Sequence, residues 1–398
     1  MPGKYSALSG YGRVRFLFRK SIPVGLILIS TVVALLFGEL LVRLTVNPGD
    51  FLPATLIADP ALGTRIKPHT TGHDALGFRN PEVPERADLV AIGDSMTYGY
   101  GAAGIDSWPR QLGILLQEPV YNMALGGYGP LHYLYLAEHD AKRLRPRLLL
   151  VGFYFGNDLI DAYTAAYRNS HWHGWREAGS LDGGESKLPP IDAAEPKKLF
   201  AGLRDWLAKH SVLYSILRVT VLPRLTLWEQ DRMASQAPDR RMRWIDPSVP
   251  SVRTIFTPGL RLSALDPQLP IVQEGLRITK RAFTALKNGA NAQGVRLLVV
   301  LIPTKERAYC RFLKDSGERM PNALVRLCDD EERVKEDLVQ FLVASMIAHV
   351  DVTGAMEEQI RKHIQIYPTD SDSHPRSKGY GVIARAVFDA VRRQQHEK

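Results

Sequence analysis

The sequence predicts an α/β fold built on a parallel sheet that helices cover on both faces. Three observations support this prediction: short apolar runs of strand length recur, one of them (88–93) ends in glycine, and segments with helical spacing of apolar residues lie between them. Strands that are apolar throughout are typical of a parallel sheet, because both of its faces are buried.

Strands and helices alternate from Ala87 onward. The predicted strands are 88–93, 119–121, 148–154, 295–302 and 349–353. The predicted helices are 107–117, 131–144 and 377–394. With 398 residues, the chain is long enough for one large domain with additions.

The first 44 residues predict a membrane anchor. A basic tail, residues 1–20, precedes the segment 22–38, which carries no charge. The stretch 21–44 is just long enough to span a bilayer, and the positive-inside rule then places the tail in the cytoplasm and the rest of the chain outside. A cleaved signal peptide is the alternative, although no convincing cleavage site follows. Glu39 and Arg43, four residues apart near the outer end, are expected to pair or to snorkel to the interface.

The net charge of +9 is concentrated in that tail, which argues against nucleic acid as a partner. Residues 45–84 are interpreted as a linker with lead-in structure, and 85–398 as the main domain. Within it, 162–270 lacks a clear buried strand and is interpreted as an insertion at the carboxyl edge of the sheet, where α/β proteins bind ligands. Its tryptophans either stack on sugars or form the insertion's own core: Trp172, Trp175, Trp206, Trp228 and Trp244.

The two cysteines, Cys310 and Cys328, have no further ligand at metal-binding spacing, so no metal site is expected there. Outside the cytoplasm they would be able to form a disulfide. The sequence equally allows two independent thiols.

Two motifs in the first half of the main domain can supply a nucleophile and a backbone donor. Gly93–Gly99 follows a buried strand and precedes a helix, so Ser95 would lie at the carboxyl end of the sheet with its N–H near a helix N-terminus. The alternative is an ordinary N-cap serine. Asn122–Gly129 is a glycine-rich turn that could point a backbone N–H into the cleft or simply join a strand to a helix.

Two later motifs can supply an oxyanion donor and a base. Asn157, in Gly156-Asn157-Asp158, follows a strand and has a side-chain amide suited to an oxyanion, although turns and caps also favour Asn and Asp. In 370–375, His374 has acidic neighbours that can hold the imidazole in one tautomer.

In this order the four motifs resemble the GDSL family of the SGNH-hydrolase superfamily, over residues 88–394 except 162–270. The resemblance implies a three-layer α/β/α sandwich, flavodoxin-like, with a roughly five-stranded parallel sheet. It implies Ser95 as nucleophile and His374 as base, with oxyanion donors from the N–H of Ser95, the N–H of Gly127 and the side chain of Asn157. It implies no metal and no cofactor.

The chain departs from the family pattern at two positions. Phe155 stands where the third motif usually has glycine, and Ser371 where the fourth usually has aspartate. Asp372 is therefore expected to orient His374, with Asp370 as the substitute.

Two further segments, 76–79 and 302–306, resemble anchored bacterial SGNH proteins, some of which accompany exopolysaccharide assembly. Asp94, Thr304, Lys305 and Glu306 are candidates for lining the substrate cleft. An exposed ion pair near a helix start is the alternative for the last three.

The expected protein is thus a serine esterase that forms an acyl-enzyme and acts on O-acyl groups, such as acetyl, of an envelope or secreted glycan. It would sit on the periplasmic side of the bacterial inner membrane. Proteins of polysaccharide assembly are its expected partners. An O-acyltransferase that uses the same residues and a non-catalytic glycan-binding or assembly protein remain open.

Overall fold

The computed structural model describes residues 10–177, 201–221, 232, 235–236, 242–244 and 253–396. The chain divides into two compact units: Met1–Pro53 with Phe200–Val221, and Ala54–Leu199 with Leu222–Lys398. The predicted position of Trp228 lies outside the described residues.

The described helices, labelled in chain order, are α1 (Gly10–Thr45), α2 (Ser95–Tyr98), α3 (Trp108–Leu116), α4 (Pro130–His139), α5 (Asp158–Arg168), α6 (Ala201–His210), α7 (Val212–Thr220), α8 (Pro258–Leu265), α9 (Pro270–Ala292), α10 (Lys305–Asp315), α11 (Asn322–Ala344), α12 (Thr353–Arg361) and α13 (Ser377–His396). Short 3₁₀ segments are Pro48–Asp50, Gly104–Asp106, Ala141–Leu144 and Ser170–Trp175. The described strands are β1 (Leu56–Asp59), β2 (Gly63–Ile66), β3 (Leu89–Gly93), β4 (Val120–Ala124), β5 (Leu148–Tyr154), β6 (Met242–Trp244), β7 (Thr254–Phe256), β8 (Arg296–Ile302) and β9 (Ala348–Asp351).

The first unit joins α1 to α7 through the Glu39 carboxylate. Glu39 accepts hydrogen bonds from the Ser211 hydroxyl at 2.8 Å and from the N–H groups of Val212 and Leu213 at 2.9 Å. These N–H groups lie in the first turn of α7, where the helix has no backbone partners for them. Arg43 Nε donates to the same carboxylate at 2.7 Å, which confirms the predicted pair.

Many large apolar side chains of α1 are more than half exposed, among them Leu26, Ile29, Leu36, Phe37 and Leu44. Within the described residues, no helix is both long enough and apolar enough to cross a bilayer.

The second unit is built on a five-stranded, wholly parallel sheet with the strand order β4-β3-β5-β8-β9. All five predicted strands are present, and the prediction of a parallel α/β sheet is confirmed. Gly93 pairs in register with Ala124 and with Gly152, so the carboxyl ends of β3 and β4 meet at one edge. Polar residues that follow these strands are thereby brought together.

Each face of the sheet packs against its own hydrophobic core, because successive strand side chains point to opposite faces. One core contains Val90, Ile92 and Val151 with residues of α4, α5, α9 and α11. The other contains Leu89, Ala91 and Leu150 with residues of α3, α10, α12 and α13. Helices therefore cover both faces, as the sequence predicts.

Three parts of the chain differ from the sequence-based description. Residues 45–84 include the antiparallel hairpin β1-β2 as well as linker. The segment 162–270 contains a short buried strand, β7, paired antiparallel with β6. The long helices α9 and α11 carry so many polar residues on their outer faces that apolar runs alone do not reveal them.

Cys310 of α10 and Cys328 of α11 form a disulfide. Of the two possibilities that the sequence allowed, the structure has the bonded one. The bond connects the two helices that follow β8 in the chain.

Candidate active site

The nucleophile motif forms a tight turn from β3 into the single-turn helix α2. Asp94 caps this helix by accepting the N–H of Met96 at 2.8 Å, and Gly99 ends it with a φ of +89°. Thr97 packs against the strand glycines: a Cβ at Gly93 or Gly152 would lie 2.1 or 2.2 Å from its Oγ1. No side chain larger than hydrogen fits at either glycine, so these residues let α2 approach the sheet closely.

Ser95 is the first residue of α2 and is half-buried. Its hydroxyl donates to Asp94 Oδ2 at 3.1 Å. Burial raises the pKa of the Asp94 carboxyl, whereas the N–H of Met96 and the charge of His374 oppose that rise. The structure therefore places Ser95 at the carboxyl edge of the sheet, next to a fully buried carboxyl group.

The glycine-rich motif forms a four-residue turn beside the serine. Tyr128 N donates to Leu125 O at 3.2 Å, and Gly127 has a φ of +84°. This is the conformation that a type II turn requires at its third residue. Gly126 faces the nucleophile, since a Cβ there would lie 3.4 Å from Ser95 Cβ and 2.6 Å from the ring of Tyr100.

Asn157 lies between β5 and α5, and its side-chain Nδ2 donates to Asp161 Oδ2 at 2.5 Å. An amide nitrogen has two N–H groups, so this bond orients the side chain and leaves a second donor. Burial raises the pKa of Asp161 to about 8 against the lowering effect of the bond from Asn157. Gly156 has no room for a side chain, because a Cβ there would lie 2.3 Å from the ring of Tyr154.

Asp158, the last residue of this motif, is fully buried and structural in its contacts. Its Oδ2 accepts the Tyr133 hydroxyl at 2.9 Å and the N–H of Tyr154 at 3.0 Å. Burial, together with the charge of Asp94, raises its pKa well above the ordinary range. Asp158 thus binds the last residue of β5, and neither of these two bonds involves Ser95.

The histidine motif contains a direct carboxylate–imidazole contact. Asp372 Oδ1 lies 2.7 Å from His374 Nδ1 and also accepts the N–H of His374 at 3.1 Å. Although burial alone would raise the pKa of Asp372, the bonds to His374 and its charge lower it to about 2. Asp370 does not contact the imidazole through its described bonds; its Oδ1 accepts the N–H of Asp372 at 3.0 Å.

Tyr100 and Gly101 connect the serine and histidine motifs. The Tyr100 ring packs edge-on against the His374 imidazole, with 5.5 Å between the ring centroids. A Cβ at Gly101 would lie 3.4 Å from His374 Cβ, and Arg376 Nη1 donates to Gly101 O at 2.7 Å. Because Tyr100 also contacts Gly126, it adjoins both the serine turn and the base.

Thr304, Lys305 and Glu306 do not line an open cleft, and they do not form an exposed ion pair: all three are fully buried. Thr304 Oγ1 caps α10 by accepting the N–H of Arg307 at 3.1 Å, and Glu306 Oε1 accepts the N–H of Thr257 at 2.7 Å. The loop that carries the histidine, together with the segment before α8, covers them. Their position after a strand correctly predicted that they lie at the carboxyl edge of the sheet, but it did not predict that their side chains are buried.

The tryptophans that the structure describes in 162–270 have different surroundings. Trp172 is buried and donates its indole N–H to Ala61 O at 2.8 Å. Trp175 lies under the guanidinium of Arg281, 4.2 Å from the ring centroid. Trp206 belongs to the other unit, on α6. For Trp172, the interpretation as core is the one that fits.

Two residues of the site were missed from the sequence. Tyr100 follows the serine motif directly, so proximity was a usable signal. Arg261, on α8, donates to Gly156 O and to Ser373 Oγ, but it lies in a segment without a recognisable motif. The described residues contain no group of three or more His, Cys, Asp or Glu side chains that could hold a metal ion.

No protein-family profile matches the chain, and a search of curated proteins finds no significant relative. Among solved structures, the chain is similar to a GDSL-like lipase from Bacteroides thetaiotaomicron (10% identity, 78% of this chain and 89% of that one, TM-score 0.33). It is similar to a catalytic mutant of an acetylxylan esterase from Geobacillus stearothermophilus (12% identity, 78% of this chain and 95% of that one, TM-score 0.37). It is also similar to an α/β hydrolase enzyme from the metagenome of Lake Arreo, Spain (12% identity, 77% of this chain and 95% of that one, TM-score 0.37). One of these structures is thus described as a GDSL-like lipase and another as an acetylxylan esterase, both at low sequence identity.

Proposed function

We propose that the chain is a serine-dependent ester hydrolase of the SGNH/GDSL type that works through an acyl-enzyme. The observation that supports this most directly is the Asp372–His374 pair, joined through Tyr100 to the turn that carries Ser95. A nucleophile, a base and a residue that orients the base are the parts that such catalysis needs.

In the proposed first step, His374 Nε2 accepts the proton of Ser95 Oγ as that oxygen attacks the ester carbonyl. Asp372 makes this possible because a carboxylate at Nδ1 keeps the proton on that nitrogen and leaves Nε2 as the acceptor. The Ser95 hydroxyl donates to Asp94 in the structure, so it would exchange that bond for one to the imidazole. His374 then returns the proton to the leaving alcohol, and water, activated in the same way, hydrolyses the acyl-enzyme.

The oxyanion of the tetrahedral intermediate would be held by the N–H groups of Ser95 and Gly127 and by the Asn157 amide. Ser95 is at a helix start, where backbone N–H groups lack helical partners. Gly127 lies in a turn whose own bond uses the N–H of Tyr128. Asp161 holds the Asn157 amide in place, so that little reorganisation is needed as charge develops.

The test uses the full chain in detergent with a fluorophosphonate probe and a short aryl ester. The parent and a Ser371→Ala control are expected to be labelled and to turn over the ester. Ser95→Ala is expected to lose both labelling and turnover, and His374→Ala is expected to lose most of each. A folded parent that takes up no probe would contradict the proposal and favour a non-catalytic glycan-binding protein.

We further propose small O-acyl groups, such as acetyl, on an envelope or secreted glycan as the substrate. Transfer to a sugar hydroxyl instead of water would use the same acyl-enzyme, since both compete for one carbonyl. Incubation with an acetylated oligosaccharide and a second, unacetylated one distinguishes them: free acetate supports the hydrolase, and acetylation of the second sugar supports an O-acyltransferase.

We propose that residues 21–44 anchor the enzyme in the bacterial inner membrane, with the second unit in the periplasm. The basic tail, the uncharged segment 22–38 and the exposed apolar side chains of α1 support this location. The Cys310–Cys328 disulfide fits an oxidising compartment. A reporter fused after Leu44 should be active in the periplasm; activity in the cytoplasm would refute the orientation.

A further inference from the structure

The loop that carries the base, residues 368–376, has no helix or strand of its own. A loop without regular structure keeps one conformation only if other groups bind its backbone. Two cationic side chains from separate elements do so here, Lys305 of α10 and Arg261 of α8.

Lys305 lies under the loop and is fully buried. Its Nζ donates to the carbonyl oxygens of Asp370 at 3.1 Å and of Asp372 at 3.0 Å. Burying an ammonium group is costly unless it is paired and hydrogen-bonded, and the two carbonyl bonds offset part of that cost here. The carbonyl that it binds at Asp372 belongs to the residue whose carboxylate holds His374.

Arg261 binds the same loop from the side. Its Nη2 donates to Ser373 Oγ at 2.6 Å, and its Nη1 donates to Gly156 O at 3.1 Å. Ser373 precedes His374, and Gly156 precedes Asn157. One planar guanidinium thus links the residue before the base to the residue before an oxyanion donor, through two donors in fixed relative positions.

We propose that Lys305 and Arg261 are positioning residues that fix the base relative to the oxyanion donors, and that α8, which carries Arg261, is thereby a working part of the active site. This inference rests on the proposed function. Neither side chain needs to touch the substrate: both act through backbone and Ser373 contacts. A displacement of a reacting group by about 1 Å can lower turnover by about 100-fold.

The protonation of Lys305 provides a readout that a merely structural residue would not move. Burial lowers its pKa to about 8, and the groups whose charges act on it are Glu306, Asp372, Asp370 and Arg261. Deprotonation removes the positive charge and one donor, so the hold on the two carbonyls weakens as pH rises through about 8. Turnover of the parent should fall over that range, and Lys305→Met should lack this alkaline limb.

The experiment compares Lys305→Met, Arg261→Met and Arg261→Lys in the full chain. The matched controls are Lys287→Met, which removes a lysine bound to the carbonyl of Ser345, and Arg277→Met, which removes an arginine bound to Glu274. We expect kcat to fall by about 10- to 100-fold in the first two variants with KM changed by less than about threefold, and Arg261→Lys to lie between. The controls should keep the parent kcat.

Folded Lys305→Met and Arg261→Met proteins with parental kcat would overturn the inference. If these two variants do not fold, two other measurements decide. The inference would also be overturned if Arg261→Lys had the parental kcat and if turnover of the parent did not fall as pH rises through about 8. A parent that takes up no fluorophosphonate would instead refute the proposed function, so the two failures are distinguishable.

Discussion

His374 Nδ1 lies 2.7 Å from Asp372 Oδ1, and the same oxygen accepts the backbone N–H of His374. The two bonds close a small ring between residues two apart in the chain. The carboxylate of Asp372 therefore fixes both the plane of the imidazole and its tautomer. Asp370 in turn holds the backbone of Asp372, because its carboxylate accepts the N–H of Asp372. The imidazole of His374 is oriented by its nearest acidic neighbour in the sequence.

Asp372→Asn should lower kcat by about 10²- to 10⁴-fold, because an amide can donate to Nδ1 and stabilise the wrong tautomer. Asp370→Asn keeps an oxygen for the N–H of Asp372 and should stay within about tenfold of the parent. Steady-state kinetics on the aryl ester measure both. Equal losses in the two variants would show that the second carboxylate shares the role.

Stability should fall in acid partly through Asp372. Its folded-state pKa of about 2 is below the unfolded value near 3.9, so the unfolded chain binds more protons in between. The stabilisation is present above pH ~4 and is lost as pH falls toward 2. Urea unfolding of the parent and of Asp372→Asn should therefore differ more at pH 6 than at pH 2.5. A difference independent of pH would contradict the assignment.

Gly126→Ala should reduce turnover by about tenfold or more, because the new methyl group would meet the Tyr100 ring at 2.6 Å and displace it from Ser95 and His374. Gly63→Ala is the control: Gly63 lies in β2, outside the proposed site, and no atom beyond its chain neighbours lies within 4 Å of an added Cβ. Its left-handed φ should cost about 1 kcal/mol of stability and little activity. Kinetics and thermal unfolding of the two variants separate crowding from backbone strain, and a larger loss of activity in Gly63→Ala than in Gly126→Ala would contradict the prediction.

Replacing both cysteines, Cys310→Ala with Cys328→Ala, should lower the free energy of unfolding by about 3 kcal/mol. The bond closes a loop with a sequence separation of 18, and cross-linking a loop of this size removes that much entropy from the unfolded chain. Denaturant unfolding of the double variant and of the reduced parent should agree. Parental stability in the double variant would show that packing between α10 and α11 suffices.

The sheet could be predicted from sequence because its strands are continuous apolar runs, as 148–154 illustrates by matching β5 end to end. Ser95 and Asp372 could also be predicted from sequence, since each lies in a short motif together with the neighbours that it contacts. These are local properties of the chain, and parallel topology converts them into one edge of a sheet.

Lys305 shows where local patterns fail. Its place after β8 predicted exposure at a cleft, but the loop 368–376, distant in sequence, folds over it. Arg261 is a similar case: its two partners, Gly156 and Ser373, come from opposite ends of the main domain. Burial produced by long-range packing leaves no mark in the residues beside a lysine or an arginine.

All five strands of the large sheet precede the base loop in the chain, with β9 ending at Asp351. During synthesis the serine turn is therefore made before the loop that contains His374. If Ser95 and His374 have the proposed roles, a chain that ends before this loop has the proposed nucleophile without the proposed proton acceptor. The last part of the domain to be synthesised would then complete the site.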